Sequence, residues 1–581
     1  MKKWVILEEV KSQKSPSKAD QPLAEKVKSE DIVDILLQNR GIKTKKEIEE
    51  FLHPPYPPNI PDLPDMDKAI TRIKKAIKNK ETIVVYADYD ADGITAGAIM
   101  WEALHGLGAN VMPYIPHRAE EGYGLSLKGI DAVREQYDPS LIITVDHGIT
   151  AWEKVAYAKT LGIDVIVTDH HVKPEKLPDC TTVHTTALSG AGVSWILVRH
   201  VILWSEANPE SKRLSTSQND AELLELAAIG TIADLVPLTG ANRSIVKYGL
   251  EAINSTHRVG LEALFADAGL GKGTIDVYAV SHMLAPRLNA MGRLEHAMDA
   301  LRLLCTKQKD KAMVLAGKLG MTNRDRQQLT TDTVSHAMSI VPKIRKKLIF
   351  VSHESYNPGV IGLVAGKLVE EYYLPAVVVS KGEQVSKASA RSVSGFNIVE
   401  AIRTCSDILV DVGGHPMAAG FTVETVNLDI LKERLEELAE KQLDEVALTR
   451  TLKIDMEIPL DAVTIALYEQ IQQLQPFGFG NPEPVFATRE VKIVDCRVVG
   501  AGGKHLKLRM ASMNNETIQQ YTNVPIDAIA FNLGNLYGEL QNTPIVDLAY
   551  TIDLNTWNGS QKLQLKVKDI RLRADDGQFL K

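Results

Sequence analysis

Cysteine is scarce in this chain. There are four in 581 residues, Cys180, Cys305, Cys405 and Cys496. They are scattered and form no CxxC pair, so neither a thiolate zinc site nor a disulfide framework is indicated. That usage suits a reducing cytosol. Long apolar runs are also missing: nothing approaches the ~18 residues of a membrane span. The opening Met1-Lys2-Lys3-Trp4-Val5-Ile6-Leu7 is too short an apolar run for a signal peptide. A soluble cytoplasmic protein with no membrane contact is expected. Excess positive charge is absent too, since the net charge is −8. Nucleic-acid binding is therefore not favoured as a bulk property, although such binding needs a basic groove and not a basic average. No repeat, low-complexity or coiled-coil segment points to assembly, so a monomer is expected.

What is present is ordinary globular material, 44% apolar and 24% charged, enough for about three or four domains at this length. Residues 1–70 read as a helical N-terminal extension. Ser29-Glu30-Asp31 caps a first apolar-periodic run, and the prolines at 54–58 stop a second helix near Leu52. From 71 to 245 the pattern becomes α/β. Apolar runs at 83–86, 110–115, 141–145 and 164–168 alternate with helical patterns at 94–107, 127–136 and 151–161, the signature of a parallel sheet. Residues 246–345 are a helical connector. Residues 346–448 form a second, smaller α/β domain with a charged helix at its end. Residues 449–573 carry several short strands separated by Gly, Asn and Pro, as in a small OB-like β-barrel. Residues 574–581 are a tail.

The densest chemical feature is Asp88-Tyr89-Asp90-Ala91-Asp92-Gly93, directly after a strand. Three carboxylates this close repel one another unless cations neutralise them. Taken alone, the segment could equally be a solvated turn or a helix N-cap. An EF-hand loop is excluded, because Ile99 stands where the twelfth-position Glu is required. The next strand ends in Asp146-His147-Gly148 and the following one in Asp169-His170-His171. Three strands of one sheet thus end in metal-ligand types, and ligands in such sheets gather beyond the carboxyl ends of the strands. Asp234 lies in an apolar segment where an unpaired carboxylate is costly. Carboxylates with one or two imidazoles and no thiolate favour manganese or magnesium over zinc. Such a set suits two cations ~3.5–4 Å apart acting on a phosphate ester.

In order and spacing these elements resemble the DHH phosphoesterase superfamily. The motifs VVYADYDADGITAGAI (84–99), EGYGL (121–125), LSGAGVSW (188–195), GTIADLVPL (230–238), APRLNAMGRL (285–294), GVIGLVAGKL (359–368), ARSVSGFNI (390–398), GGHPMAAGF (413–421) and QPFGFGNPEPVF (475–486) resemble its RecJ family of single-strand-specific 5′-to-3′ exonucleases. The likeness runs over nearly the whole chain.

The resemblance implies two divalent cations, Mn2+ or Mg2+, held by Asp90, Asp92, Asp146, His170 and Asp234. It implies catalytic roles for Asp88, Asp169, His171 and His415 close to them. Arg118, Ser389 and Arg391 match positions that hold the substrate's 5′ phosphate, and Arg287, Asn289 and Arg293 are expected along the strand's path. Arginine suits phosphate because its planar fork makes paired bonds. Two positions depart from the family pattern: His147 where a small or neutral residue is usual, and Ala390 where glycine is common. Single-stranded DNA is the implied partner, in DNA repair and recombination, with a single-strand-binding protein and a helicase as its suppliers. Lys504, His505, Lys507 and Arg509 are candidate groove residues of the barrel, which would grip a strand by charge and stacking.

Three other readings are open. A superfamily relative acting on small substrates (a pyrophosphatase, an oligoribonuclease or a cyclic-dinucleotide phosphodiesterase) would have no use for the barrel. A non-catalytic repair scaffold would not need the intact Asp and His set. A plain α/β ligand-binding protein leaves the clustered carboxylates unexplained.

Overall fold

Apolar β-branched runs flanked by amphipathic helices can bury both faces only inside a parallel sheet covered on two sides, and the computed structural model shows that arrangement. It describes residues 2–7, 29–118, 120–206, 216–342, 346–512, 525–543, 545–557 and 560–572. The chain divides into two units. One comprises Met1–His53, Thr449–Phe477 and Asn481–Lys581; the other comprises Pro54–Leu448 with Gly478–Gly480.

The second unit opens with a five-stranded parallel sheet. Its order is Asn110–Tyr114, Thr82–Ala87, Leu141–Val145, Asp164–Asp169 and Thr181–His184. The central strands are buried along their length. One face packs on the helices Ala91–Gly106 and Gly190–Glu206, and the helix Thr216–Ala233 packs on those two in turn. Helices follow from Gly240 to Ile340, ending in the 32-residue helix Lys309–Ile340. Within that stretch a π-helical turn, Val280–Leu284, runs directly into Ala285–Leu294. A second five-stranded sheet comes next. Its order is Leu409–His415, Ala418–Glu424, Val385–Arg391, Ala376–Ser380 and Ile349–His353, and only its last pair is parallel.

The first unit is a closed barrel. Phe486–Val499 pairs with both His505–Ser512 and Ile545–Trp557, and Ile526–Ala530 and Ser560–Leu572 complete the ring. The mixed α/β class with a terminal OB-like barrel agrees with the sequence reading. The start of the chain is different from what its helical patterning suggests. Lys3–Ile6 is a strand, paired in parallel with Thr451–Ile454. Ile32, Leu36, Leu37 and Phe51, from the helices Ser29–Asn39 and Lys45–Leu52, bury into the barrel core. A capping box between Thr44 and Glu47 starts the second of these helices. The Ser29–Asp31 side chains expected to cap the first, and the 574–581 tail, lie outside the described residues. Among the described residues no helix is long and apolar enough to cross a membrane.

Candidate active site

Three neighbouring strands of the parallel sheet end side by side, and each delivers an acid as it leaves the sheet. Asp88 follows Thr82–Ala87, Asp146 follows Leu141–Val145, and Asp169 ends its own strand. The turn after Asp88 is tight, because a Cβ on Gly93 would lie 2.6 Å from the Asp88 Cβ. Asp90 is the N-cap of the helix Ala91–Gly106, its carboxylate accepting from the Asp92 and Gly93 N–H groups. The reading of the acidic segment as a helix cap therefore holds at Asp90. Asp92 then sits in the first turn, buried, and takes the Gly190 and Ala191 N–H groups at 2.7 and 2.9 Å. Asp146 has a left-handed backbone, φ 67°. A non-glycine residue held there is strained, and such strain persists where the surroundings fix it.

The surroundings do fix it. A Cβ on Gly190 would lie 2.5 Å from the Asp146 Cβ, and one on Gly230 would lie 2.4 Å from an Asp92 oxygen. The helices Gly190–Glu206 and Thr216–Ala233 thus close around the carboxylates through glycine alone. His170 Nε2 lies 3.1 Å from Asp146, 3.5 Å from Asp234 and 3.9 Å from Asp92. Two groups of donor atoms with no member in common emerge, Asp88-Asp90-Asp146 and Asp92-His170-Asp234; a third, Asp146-His170-His171, overlaps both.

The electrostatics favour a bound cation. Taking an ion out of water costs several kcal/mol unless it is paired. Burial first, and neighbouring carboxylates second, push Asp92 up to about 7 and Asp234 up to about 8, and hold Asp88 and Asp146 well above the usual range. Burial and the nearby His171 drive His170 down to about 4, leaving a neutral ring with a lone pair. One oxygen each of Asp88 and Asp146, and Nε2 of His170, are buried without a hydrogen-bond partner among the described residues. Unsatisfied oxygen and imidazole donors in two separate groups fit two manganese or magnesium ions.

Asp169 stands one step back. One of its oxygens takes the His170 and His171 N–H groups and the His171 Nδ1–H, at 2.7, 3.1 and 2.8 Å; the other takes the Ile149 N–H at 2.8 Å. Burial alone would raise its pKa, but these donors hold it below the usual carboxylate range. In return, and against the effect of burial, Asp169 pushes His171 up to about 9. This favours the protonated form of His171, whose Nε2 lies 3.4 Å from the Tyr123 hydroxyl. The His415 ring lies nearly parallel to it at 6.5 Å. His147, whose placement the sequence leaves open, donates Nε2–H to the Tyr86 carbonyl at 3.0 Å and belongs to none of the donor groups.

Asp88 and Asp90 open into a cleft of about 740 Å³ that is also lined by Tyr89, Arg118, Tyr123, Asn289, Arg293, Ser389 and Arg391. On the strand Val385–Arg391, residues two apart share a face. Lys387, Ser389 and Arg391 line the cleft while the Ala390 side chain enters the core, so the missing glycine at 390 does not narrow the cleft. The Arg118 guanidinium lies over the Tyr89 ring at 5.2 Å. Arg118, Arg293 and Arg391 have no ion-paired carboxylate among the described residues, and burial with the nearby Arg118 lowers Arg293 to about 10. Asn289 does more than line the cleft, since its Oδ1 accepts the Ala91 N–H at 2.8 Å and steadies the helix start that carries Asp90 and Asp92. Arg287 is not brought to the cleft. It pairs with Asp267 at 2.8 Å and donates to the Met283 carbonyl.

Sequence reasoning missed Glu121. Its carboxylate takes the His117 N–H and the Tyr114 hydroxyl, pinning the turn that carries Arg118. The residue stands inside the EGYGL motif, and an acid directly before a Gly-Tyr-Gly turn was the available signal.

Comparison with known proteins places these features. Residues 82–231 match the DHH family N-terminal domain, 345–446 the DHHA1 domain and 454–569 the RecJ OB domain. The chain is 36% identical over 563 residues to the single-stranded-DNA-specific exonuclease RecJ of Bacillus subtilis strain 168, covering 94% of this chain and 69% of that one. The crystal structure of RecJ from Thermus thermophilus in complex with Mn2+ superposes with a TM-score of 0.78 at 30% identity, over 93% of this chain and 76% of that one. A manganese-bound exonuclease RecJ matches with a TM-score of 0.57 at 34% identity, over 66% and 97%. With a shared sequence across nearly its full length, a shared fold and a donor set suited to the same ion, the chain belongs to the RecJ family.

Proposed function

We propose that this chain is a divalent-cation-dependent exonuclease that digests single-stranded DNA from the 5′ end and releases 5′-mononucleotides. The observation that carries the reading is that Asp88, with a buried unpartnered oxygen, and arginines with no ion-paired carboxylate among the described residues line one cleft. Asp88, Asp90, Asp92, Asp146, His170 and Asp234 would hold divalent cations, which when bound would supply an activated water and neutralise charge developing on the phosphodiester. The other residues position the substrate. Arg118, Ser389 and Arg391 grip the terminal phosphate through charge-assisted bonds, setting the next phosphodiester beside the carboxylates. His171, kept protonated by Asp169, donates to a phosphate oxygen, and His415 faces it from the other side. Asn289 and Arg293 line the path of the following nucleotides.

In the barrel, His505, Lys507 and Arg509 alternate outward along one strand, with Phe531 against the His505 ring. This row suits a single strand held by charge and stacking. We further propose that the enzyme works as a monomer in the cytoplasm. There a helicase exposes its substrate and a single-strand-binding protein keeps that substrate open.

End-labelled oligonucleotides test the reading. With Mn2+, 5′ label is expected to appear first, as mononucleotide, from single strands and not from duplex, and chelation with EDTA stops it. First release of 3′ label, or a preference for pyrophosphate or short RNA, refutes it.

A further inference from the structure

Asn242 is 2% exposed and lies in the first turn of the helix Gly240–Ser255. Its Nδ2 donates to the Ala187 carbonyl at 2.9 Å and to the Pro237 carbonyl at 3.1 Å. Both partners are acceptors, so the amide nitrogen must face them. The Oδ1 has no partner among the described residues. A buried oxygen without a partner is costly, and an apolar side chain would pack there without that cost. What asparagine adds at this position is two N–H groups on one rigid plane.

Those two N–H groups join loops that belong to the carboxylate cluster. Ala187 is three residues before Gly190, whose N–H, with that of Ala191, holds Asp92. Pro237 is three residues after Asp234, beyond Leu235 with its left-handed φ of 59°. Asp92 and Asp234 share a donor group with His170. The spacing of the two loops therefore sets how far the Asp92 and Asp234 oxygens stand apart. We propose that Asn242 is a positioning residue for the cation centre, acting through the Ala187 and Pro237 carbonyls. This rests on the reading of Asp92, His170 and Asp234 as cation ligands.

Asn254 supplies a matched control. Its amide donates to the Leu250 and Ile275 carbonyls at 2.9 and 2.8 Å and accepts the Ile275 N–H at 2.8 Å, a comparable tie with no link to the cluster. Mn2+ is titrated calorimetrically, without DNA, into metal-stripped full-length wild type, Asn242→Ala, Asn242→Ser and Asn254→Ala, with Tm recorded for each. Partners that orient metal ligands are typically worth 10–100-fold in affinity. The expected result is a Kd raised at least about tenfold by Asn242→Ala and less by Asn242→Ser, with Asn254→Ala within about twofold of wild type. Equal Kd values for the Asn242 and Asn254 variants, or an Asn242→Ala value matching wild type, overturn the proposal. So does failure of both Asn242 variants to fold, which assigns the residue to the core. Absence of Mn2+ binding by wild type defeats the underlying cation reading instead.

Discussion

Two clusters of charge are buried in the same unit, and they are built in opposite ways. Around Arg258, 5% exposed, the chain provides both signs. Its guanidinium donates to both oxygens of Glu102 at 2.7 and 3.0 Å, lies 3.5 Å from Glu225 and also reaches the Leu304 and Glu222 carbonyls. At the strand ends the chain gathers carboxylates with no arginine or lysine ion-paired to them, and in the cleft beside them it sets Arg118, Arg293 and Arg391 with no ion-paired carboxylate among the described residues. A buried charge whose partner is covalently present holds the fold together. One whose partner is missing marks where something else binds.

The largest expected effect separates these two cases. Asp146→Ala should abolish nuclease activity while leaving Tm at or above that of metal-free wild type, because one of several repelling carboxylates is gone. Arg258→Ala should strip the half-buried Glu102 and the buried Glu225 of their shared cation, at a cost of about 3–5 kcal/mol, read as a lowered midpoint in urea. Loss of folding in Asp146→Ala, or an unmoved midpoint in Arg258→Ala, breaks the comparison.

A pH series sharpens it. Asp92, Asp234 and His171 have folded pKa values of about 7, 8 and 9, all above their unfolded values. Between pH 6.5 and 8.5 the folded protein thus holds more protons than the unfolded one, and stability falls as pH rises. His170, lowered to about 4, is neutral in the folded state; it opposes this trend only near pH 6.5, where the unfolded imidazole still binds part of a proton, and drops out as pH rises. Metal-stripped protein should lose Tm steadily from pH 6.5 to 8.5, and saturating Mn2+ should flatten or reverse the slope. A flat profile without metal would show that the carboxylates carry no strain.

Next in size is the anion side. Arg391→Ala should raise KM for a 5′-phosphorylated strand by at least about tenfold, the worth of roughly 1.4 kcal/mol from a charge-assisted bond. It should change KM for a 5′-hydroxyl strand far less. An equal loss on both would place the terminal phosphate elsewhere. The smallest effect belongs to Arg287→Ala. Its pairing with Asp267 predicts a stability loss of about 1 kcal/mol and no change in KM for DNA.

These contrasts also show what was legible in the sequence. Buried parallel strands read as short apolar runs, so the sheet and the acids at its strand ends could be located from Ile83, Leu141 and Val165 onward. Arg391 was legible only through the resemblance of its motif, ARSVSGFNI, to the family's phosphate-holding segment. Side chains whose roles depend on distant backbone were not legible. Asn289 caps a helix 198 residues away, and Lys3–Ile6 finds its partner strand at Thr451–Ile454. Arg287 sits in the same motif as Asn289 and Arg293, and helical geometry alone turns it toward Asp267.

The pairing of Lys3–Ile6 with Thr451–Ile454 bears on how the protein is made. The barrel unit is split in the gene and the catalytic unit is inserted between its parts. During synthesis the helices bearing Ile32, Leu36 and Phe51 emerge first and have no core to enter until some four hundred further residues have followed. Domains generally fold as they emerge, so the inserted unit can fold well before the unit that flanks it. A fragment beginning at Thr449 would lack those helices, and the apolar wall they cover would face water.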